Sequence, residues 1–232
     1  MAKSRKIRDR QKAVKSIRSV TRTMEMVATA RYRKVHGLYA AAGPYIDGLS
    51  NLLQEILAHT KRSRLRHPLL REPKYTGRRW LMVLTSNRGL CGGYNASILR
   101  TAMDRYDVLQ ADGVEVLLYV SGKRGIALLG HRGYSLSETT TEFDGTAVPW
   151  HKTANLGDRF LSEYLSGNLG GVDLVYCEPM GAGSYRPVCR PLLPLPLSKA
   201  DEELPTSVES EQPGEDDVEE APEQPAGQPD KP

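Results

Sequence analysis

Proline and glycine are absent from the first 36 residues of this 232-residue chain, and acidic side chains are nearly so. The first absence takes away the usual interruptions of a helix. The second leaves twelve Lys or Arg (positions 3, 5, 6, 8, 10, 12, 15, 18, 22, 31, 33 and 34) against only Asp9 and Glu25, a local charge of +10. Cysteine is scarce and odd in number: Cys91, Cys177 and Cys189, without a CxxC spacing, speak against a disulfide framework and for a reducing, cytosolic setting. No secretory leader is expected at the start of the chain. No uninterrupted apolar run approaches the ~20 residues of a spanning helix, so any membrane association is expected to be peripheral or through a partner. Paired carboxylates, a histidine cluster and metal-ligand spacings are missing too. His36, His59, His67, His131 and His151 are scattered, so neither a catalytic residue, a metal nor a cofactor is expected.

What is there begins with a rod. From Ser4 to roughly Thr60, apolar side chains at Ile7, Val14, Ile17, Val20, Met24, Val27, Ala28 and Val35 recur at mostly three- and four-residue steps, and Ile46, Leu49, Leu52, Leu53, Ile56 and Leu57 resume the stripe. Gly43-Pro44 is expected to kink or fray the helix. A helix this long, about 80 Å at ~1.5 Å per residue, must lie against something, because propensity alone stabilises helices weakly. Its basic surface suits a solvated face beside a coiled-coil partner, or docking on an acidic protein, an anionic membrane or nucleic acid.

Residues 61–79 are basic, carry two prolines and read as a linker. Then the pattern changes. Short apolar runs at 80–85, 114–120, 172–177 and 188–193, and a Thr-rich one at 134–142, predict strands. Helices are predicted at 95–111, with Asn95 as cap, at 123–129 and at 153–165. Alternating strands and helices imply a three-layer, mainly parallel, Rossmann-like α/β domain over 80–197. Residues 201–232 hold twelve acids and one base, Lys231, a charge of −11, with almost nothing apolar. The tail from 198 is expected to be disordered, and either solvated or folded back on the basic rod.

Residues 85–95, TSNRGLCGGYN, follow a strand and precede a helix, where α/β folds place ligand sites. Three readings compete. A phosphate loop lacks both GxxxxGK[ST] and GxGxxG. A nucleophile elbow at Gly89-x-Cys91-x-Gly93, with His131 or His151 as base, would make a cysteine hydrolase. The third is a rigid corner that positions a protein contact. Gly122-Lys123-Arg124-Gly125 is either an anion site at a helix start or an ordinary tight turn. Residues 179–183 have the composition of a hairpin connection.

Two of these stretches carry a resemblance. Val20 to Arg31, VTRTMEMVATAR, with Pro44-Tyr45 downstream, resembles the N-terminal helix of the gamma subunit of F-type ATP synthases. Thr85 to Asn95 resembles that family's other strong motif, with Asn87 where Asp is usual. Gly122 to Gly125 and Leu193-Pro194-Leu195-Pro196 fit its later junctions. The resemblance implies a central rotor stalk with no chemistry of its own. Its partners would be an alpha–beta hexamer, the epsilon subunit and the membrane c-ring, on the cytoplasmic face of a bacterial inner membrane, with no nucleic acid. It places Arg22, Met24, Met26 and Arg31 against the hexamer, and Arg88, Cys91, Gly92, Gly93, Tyr94 and Asn95 in a stalk contact. The family continues past about residue 200 with a second long helix that pairs with the first. Residues 197–232 show no such periodicity, as in a truncated or divergent member. A helical arm binding nucleic acid or anionic lipid is the alternative function.

Overall fold

The computed structural model describes residues 2–60, 67–70, 77–143, 150–181, 183–196 and 204. Helix α1 (Ala2–His59) spans 58 residues, roughly 87 Å at ~1.5 Å per residue. It runs through Pro44 without a break, where the sequence leads one to expect a kink or fraying. Gly43 supplies a reason. A proline ring disfavours the helical region for the preceding residue partly by striking its Cβ. Gly43 has none. Along α1 the seam is uncovered: Ile7, Ile17, Val20, Met24 and Leu52 are each more than half exposed.

The remainder is an α/β body. Strands β1 (Arg78–Leu84), β2 (Glu115–Ser121), β3 (Glu138–Thr140), β4 (Gly171–Gly181) and β5 (Ser184–Leu193) form one sheet in the order β3-β2-β1-β4-β5. The first four are mutually parallel, and β5 returns antiparallel against β4. Side chains alternate across β1 as the pleat requires. Leu81 and Val83 enter a core with Ile98, Leu99, Ala102 and Met103 of α2 (Tyr94–Ala111) and Leu129 of α3 (Lys123–His131). Trp80 and Met82 face the other way, onto Phe160 and Tyr164 of α4 (Trp150–Leu165). The result is three layers, with α2 and α3 on one side and α4 on the other. The direction of strand order reverses between β1 and β4, and the loop following β1 opens at that point.

Several boundaries differ from the sequence expectation: α4 begins at Trp150 rather than Thr153, β4 runs on to Gly181 rather than ending at Cys177, and β5 starts at Ser184 rather than Val188. Arg78 and Arg79, read as the end of a linker, begin β1. Their charges are matched in place, Arg78 Nε by Glu115 at 2.8 Å and Arg79 by Asp173. Of the remaining linker, 61–66 and 71–76 lie outside the described residues, while Pro68–Leu70 forms a 3-10 turn whose Leu69 carbonyl accepts from Leu195 N–H. Strand β3 is three residues long rather than nine. Tyr134 and Leu136 leave the ladder to pack on the α2 side, where the Tyr134 ring meets Tyr106 edge-on at 5.5 Å. The tail expected to be disordered falls outside the described residues except for Leu204, whose N–H donates to the Cys189 carbonyl at 3.0 Å and whose side chain packs on the core.

Candidate functional site

The corner between β1 and α2 is built from side chains that bond inward. Thr85 extends the ladder through its N–H to Ser121 O (2.8 Å), and its hydroxyl donates to the same oxygen at 2.7 Å. Asn95 is buried at the start of α2. It does not cap that helix, as its position suggests. Instead Oδ1 accepts Ser86 N–H at 3.0 Å, and Nδ2 donates to Ser86 Oγ (2.9 Å) and Cys91 Sγ (3.1 Å). Ser86 Oγ in turn donates to Arg88 O at 2.6 Å. Asn87 bridges outward, with Nδ2 donating to Thr141 O and Oδ1 accepting Lys123 N–H, both at 2.9 Å. The side chains of Thr85, Ser86, Asn87 and Asn95 thereby all have partners, and such closed networks hold a single geometry.

These bonds decide between the chemical readings. An anion at the start of α3 needs free N–H groups. Lys123 N–H goes to Asn87 Oδ1, Arg124 N–H to Ser86 O (3.1 Å) and Gly125 N–H to Thr85 Oγ1 (3.0 Å). The donors are spent on the neighbouring loop, so Gly122–Gly125 is a packing joint rather than a phosphate cradle. Glycine is required there: Gly122 has φ +106°, and an added Cβ at Gly122 or Gly125 would lie well inside contact distance of Thr85. The nucleophile-elbow reading loses its base, since the hydrogen-bond partners of Cys91 are Asn95, Ser86 and Arg88 O, none of them histidine. With phosphate-loop spacing already missing from 85–95, the rigid corner is the reading these bonds favour.

Its outer side is formed by Arg88, Leu90, Gly92 and Gly93. Leu90 is 95% exposed with φ +62°, an apolar side chain held out on left-handed backbone. Sequence reading passed over it; the available signal was one large apolar residue inside a glycine-rich, polar loop. Asn95 and Tyr94 support this surface from within. The Tyr94 ring stands edge-on to Tyr185 of the β4–β5 hairpin at 5.2 Å. Burial pushes its phenol up to about 12, with Cys177, Cys91 and Tyr185 adding to the effect.

The same hairpin meets the rod. Tyr32 of α1 donates its hydroxyl to Gly181 O at 3.3 Å, within a ladder of rings that continues to His36 (5.3 Å) and Tyr39. Corner, hairpin and rod thus adjoin through Tyr94, Tyr185, Gly181 and Tyr32. At ~100° per residue, the rod's four sequence-selected residues divide between two sides. Met24 and Arg31 share the apolar seam with Val20 and Val27. Arg22 and Met26 lie about half a turn away, on a groove lined also by Arg18, Thr21, Glu25, Thr29, Ala30 and Arg33.

Two ionic clusters escaped the sequence, one buried and one half-buried. Asp173 is fully buried, holding Arg79 and, at 2.9 Å, Arg105. Glu178 on the hairpin accepts from Tyr176 (2.9 Å), Arg190 (2.6 Å) and Arg186 (3.3 Å). A single acid in a strand gives no hint of partners 68 and 94 residues away, as Asp173 has.

Residues 3–226 match the family described as ATP synthase. The chain is 36% identical over 195 residues to the ATP synthase gamma chain of Rhodopirellula baltica, covering 84% of this chain and 65% of that one. It is 32% identical over 205 residues to that of Gemmatimonas aurantiaca, covering 87% and 69%. This chain belongs to the ATP synthase gamma chain family. A solved central stalk/c-ring structure of Tetrahymena thermophila mitochondrial ATP synthase shares the fold, with a TM-score of 0.58 at 21% identity over 75% of this chain and 72% of the other. The chain spans 65% of the length of the Rhodopirellula gamma chain and of two from Synechococcus. What it shares with this gamma chain family includes the rod and the corner, and among the described residues there is no second long helix. No helix among them is long and apolar enough to cross a membrane.

Proposed function

We propose that this chain acts as a central-stalk rotor element of an F1 assembly, coupling ion flow to ATP synthesis or hydrolysis in catalytic subunits that it does not itself contain. One observation carries the reading: a continuous helix of roughly 87 Å whose apolar seam is uncovered over most of its length. Exposed apolar surface on this scale is stabilised only by a binding partner. With a basic groove on the opposite side, the rod offers contacts in two directions at once, as an axle seated in a bore requires. Arg22, Met24, Met26 and Arg31 would face an alpha–beta hexamer. The corner from Arg88 to Asn95 would meet the epsilon subunit or the c-ring, with Leu90 as its apolar tip. The chain would lie peripherally, at the cytoplasmic face of a bacterial inner membrane, held through the complex.

Mechanically, torque needs a stiff shaft and a stiff collar. The helix supplies the first. The inward-bonded corner and the Tyr32–Gly181 contact support the second. The test is reconstitution of the full chain with alpha and beta subunits from the same source. Co-elution with the hexamer and a gain in ATP hydrolysis are expected. Failure of both, or salt-sensitive binding to DNA or anionic liposomes in place of the hexamer, would overturn the proposal in favour of a basic-arm module.

A further inference from the structure

The two ends of the chain carry opposite charge, and the structure brings their roots close together. The groove of α1, in which Arg18, Arg22 and Arg33 outnumber Glu25, has no salt bridge among the described residues. At the other end, residues 205–232 hold nine acids against Lys231. Leu204, where that segment starts, is fixed to β5 by the hydrogen bond to Cys189 O. Cys189 pairs with Val175, and six residues further along β4, about 20 Å at ~3.3 Å each, lies Gly181, the residue that Tyr32 touches. Arg33 follows Tyr32, and Arg18 is about 22 Å further along the helix. A 26-residue segment reaches up to ~90 Å, so residues 205–230 span this distance with slack.

We propose that the acidic segment 205–230 occupies the Arg18–Arg33 groove of its own α1, as an intramolecular stand-in for external polyanions. Charge complementarity favours it, and the short tether sets an effective concentration on the order of millimolar, enough to populate even a weak ionic contact. The seam lies on the opposite side of the helix and stays free, so the segment would shield the rod from adventitious polyanions without covering its apolar docking surface. The inference concerns the chain outside the assembly, since Arg22 and Met26 of this groove are residues that the rotor reading sets against the hexamer.

Carbodiimide coupling, which joins a carboxylate directly to an amine in contact with it, tests this on the full chain. Lys15 borders the groove, while Lys123, exposed on α3, is the control. Mass spectrometry should find Lys15 joined to acids between Glu209 and Glu223, with a yield independent of protein concentration, and the products should vanish near 0.5 M salt. The exposed triple variant R18Q/R22Q/R33Q should lose them too. In parallel, a chain ending at Leu204 should bind a single-stranded DNA oligonucleotide about tenfold more tightly than the full chain at 50 mM salt, from competition with a millimolar internal occupant. Equal affinities would overturn the proposal. So would couplings spread equally onto Lys123, or couplings that rise with protein concentration, which would indicate a second copy as the occupant.

Discussion

Asn95 and Ser86 lock the corner through four atoms: one amide accepts the Ser86 N–H at 3.0 Å and donates to its hydroxyl at 2.9 Å. Neither end of that amide has a substitute nearby. Asn95→Asp keeps the shape and the acceptor but turns the donor into a second acceptor facing Ser86 Oγ and Cys91 Sγ. The expected loss is about 1–3 kcal/mol of stability, the cost of leaving a buried polar group unpaired. Urea denaturation followed by circular dichroism reads it directly. A loss under 0.5 kcal/mol would mean that the corner is not held by this amide.

Asp173 carries two guanidinium groups in a fully buried position. Asp173→Asn removes the only charge that balances Arg79 and Arg105 among the described residues. Breaking a buried ion cluster from one side costs about 3–5 kcal/mol. The α/β body is therefore expected to unfold at markedly lower denaturant, while the helical signal of α1, which hardly touches this cluster, persists further. Coincident loss of both signals at the wild-type midpoint would contradict this arrangement.

Glu178 sets a pH dependence. Burial pushes its carboxyl up, but the Tyr176 hydroxyl and the Arg190 and Arg186 guanidinium groups outweigh that and hold it below the ordinary carboxylate range. A folded-state value below the unfolded one binds fewer protons, so the group's contribution is complete above the ordinary value of ~4.3 and is lost as pH falls through the folded one. Glu178→Gln should therefore cost about 1 kcal/mol at pH 7 and nothing near pH 2. Paired stability curves of the two proteins against pH should converge on the acid side; a gap of constant size would exclude the coupling.

The three cysteines differ in their surroundings. Burial pushes the Cys189 thiol up to about 12, with Asp173 adding to it, and pushes Cys177 up to about 11. Thiolate is the reacting species, so both should resist iodoacetamide at pH 8, and Cys189, nearly inaccessible, should react only after denaturation. Cys91, half-exposed at the corner, should be alkylated first. Mass spectrometry over a time course resolves the order, and fast native labelling of Cys189 would show that the β5 side of the core is open.

The rod was legible in the sequence because a helix declares itself locally. Its seam recurs at three and four residues, its charges lie on the surface, and its polar backbone groups are satisfied by near neighbours. The four apolar strands and the two-sided sheet followed for the same reason, since period and flanking turns are local properties. The ends of elements were less legible. Tyr134 and Leu136 have the residue types of a strand, yet they pack on α2, and Arg78 and Arg79 look like linker until Glu115 and Asp173 stand opposite them.

The character of the corner was decided by tertiary structure alone. Thr85 to Asn95 is compatible in sequence with a phosphate loop, a nucleophile elbow or a rigid joint. The elbow depends on what Cys91 meets, which is Asn95, Ser86 and Arg88 O, and an anion at the neighbouring Gly122–Gly125 depends on where the N–H groups of α3 point, and those are committed to Ser86, Asn87 and Thr85 across more than 35 residues of chain. The sequence by itself determined that a long basic helix with one apolar side precedes an α/β body. Only folding determined which polar groups were consumed inside and which surfaces were left over, because hydrogen-bond satisfaction is settled between segments that no local pattern relates.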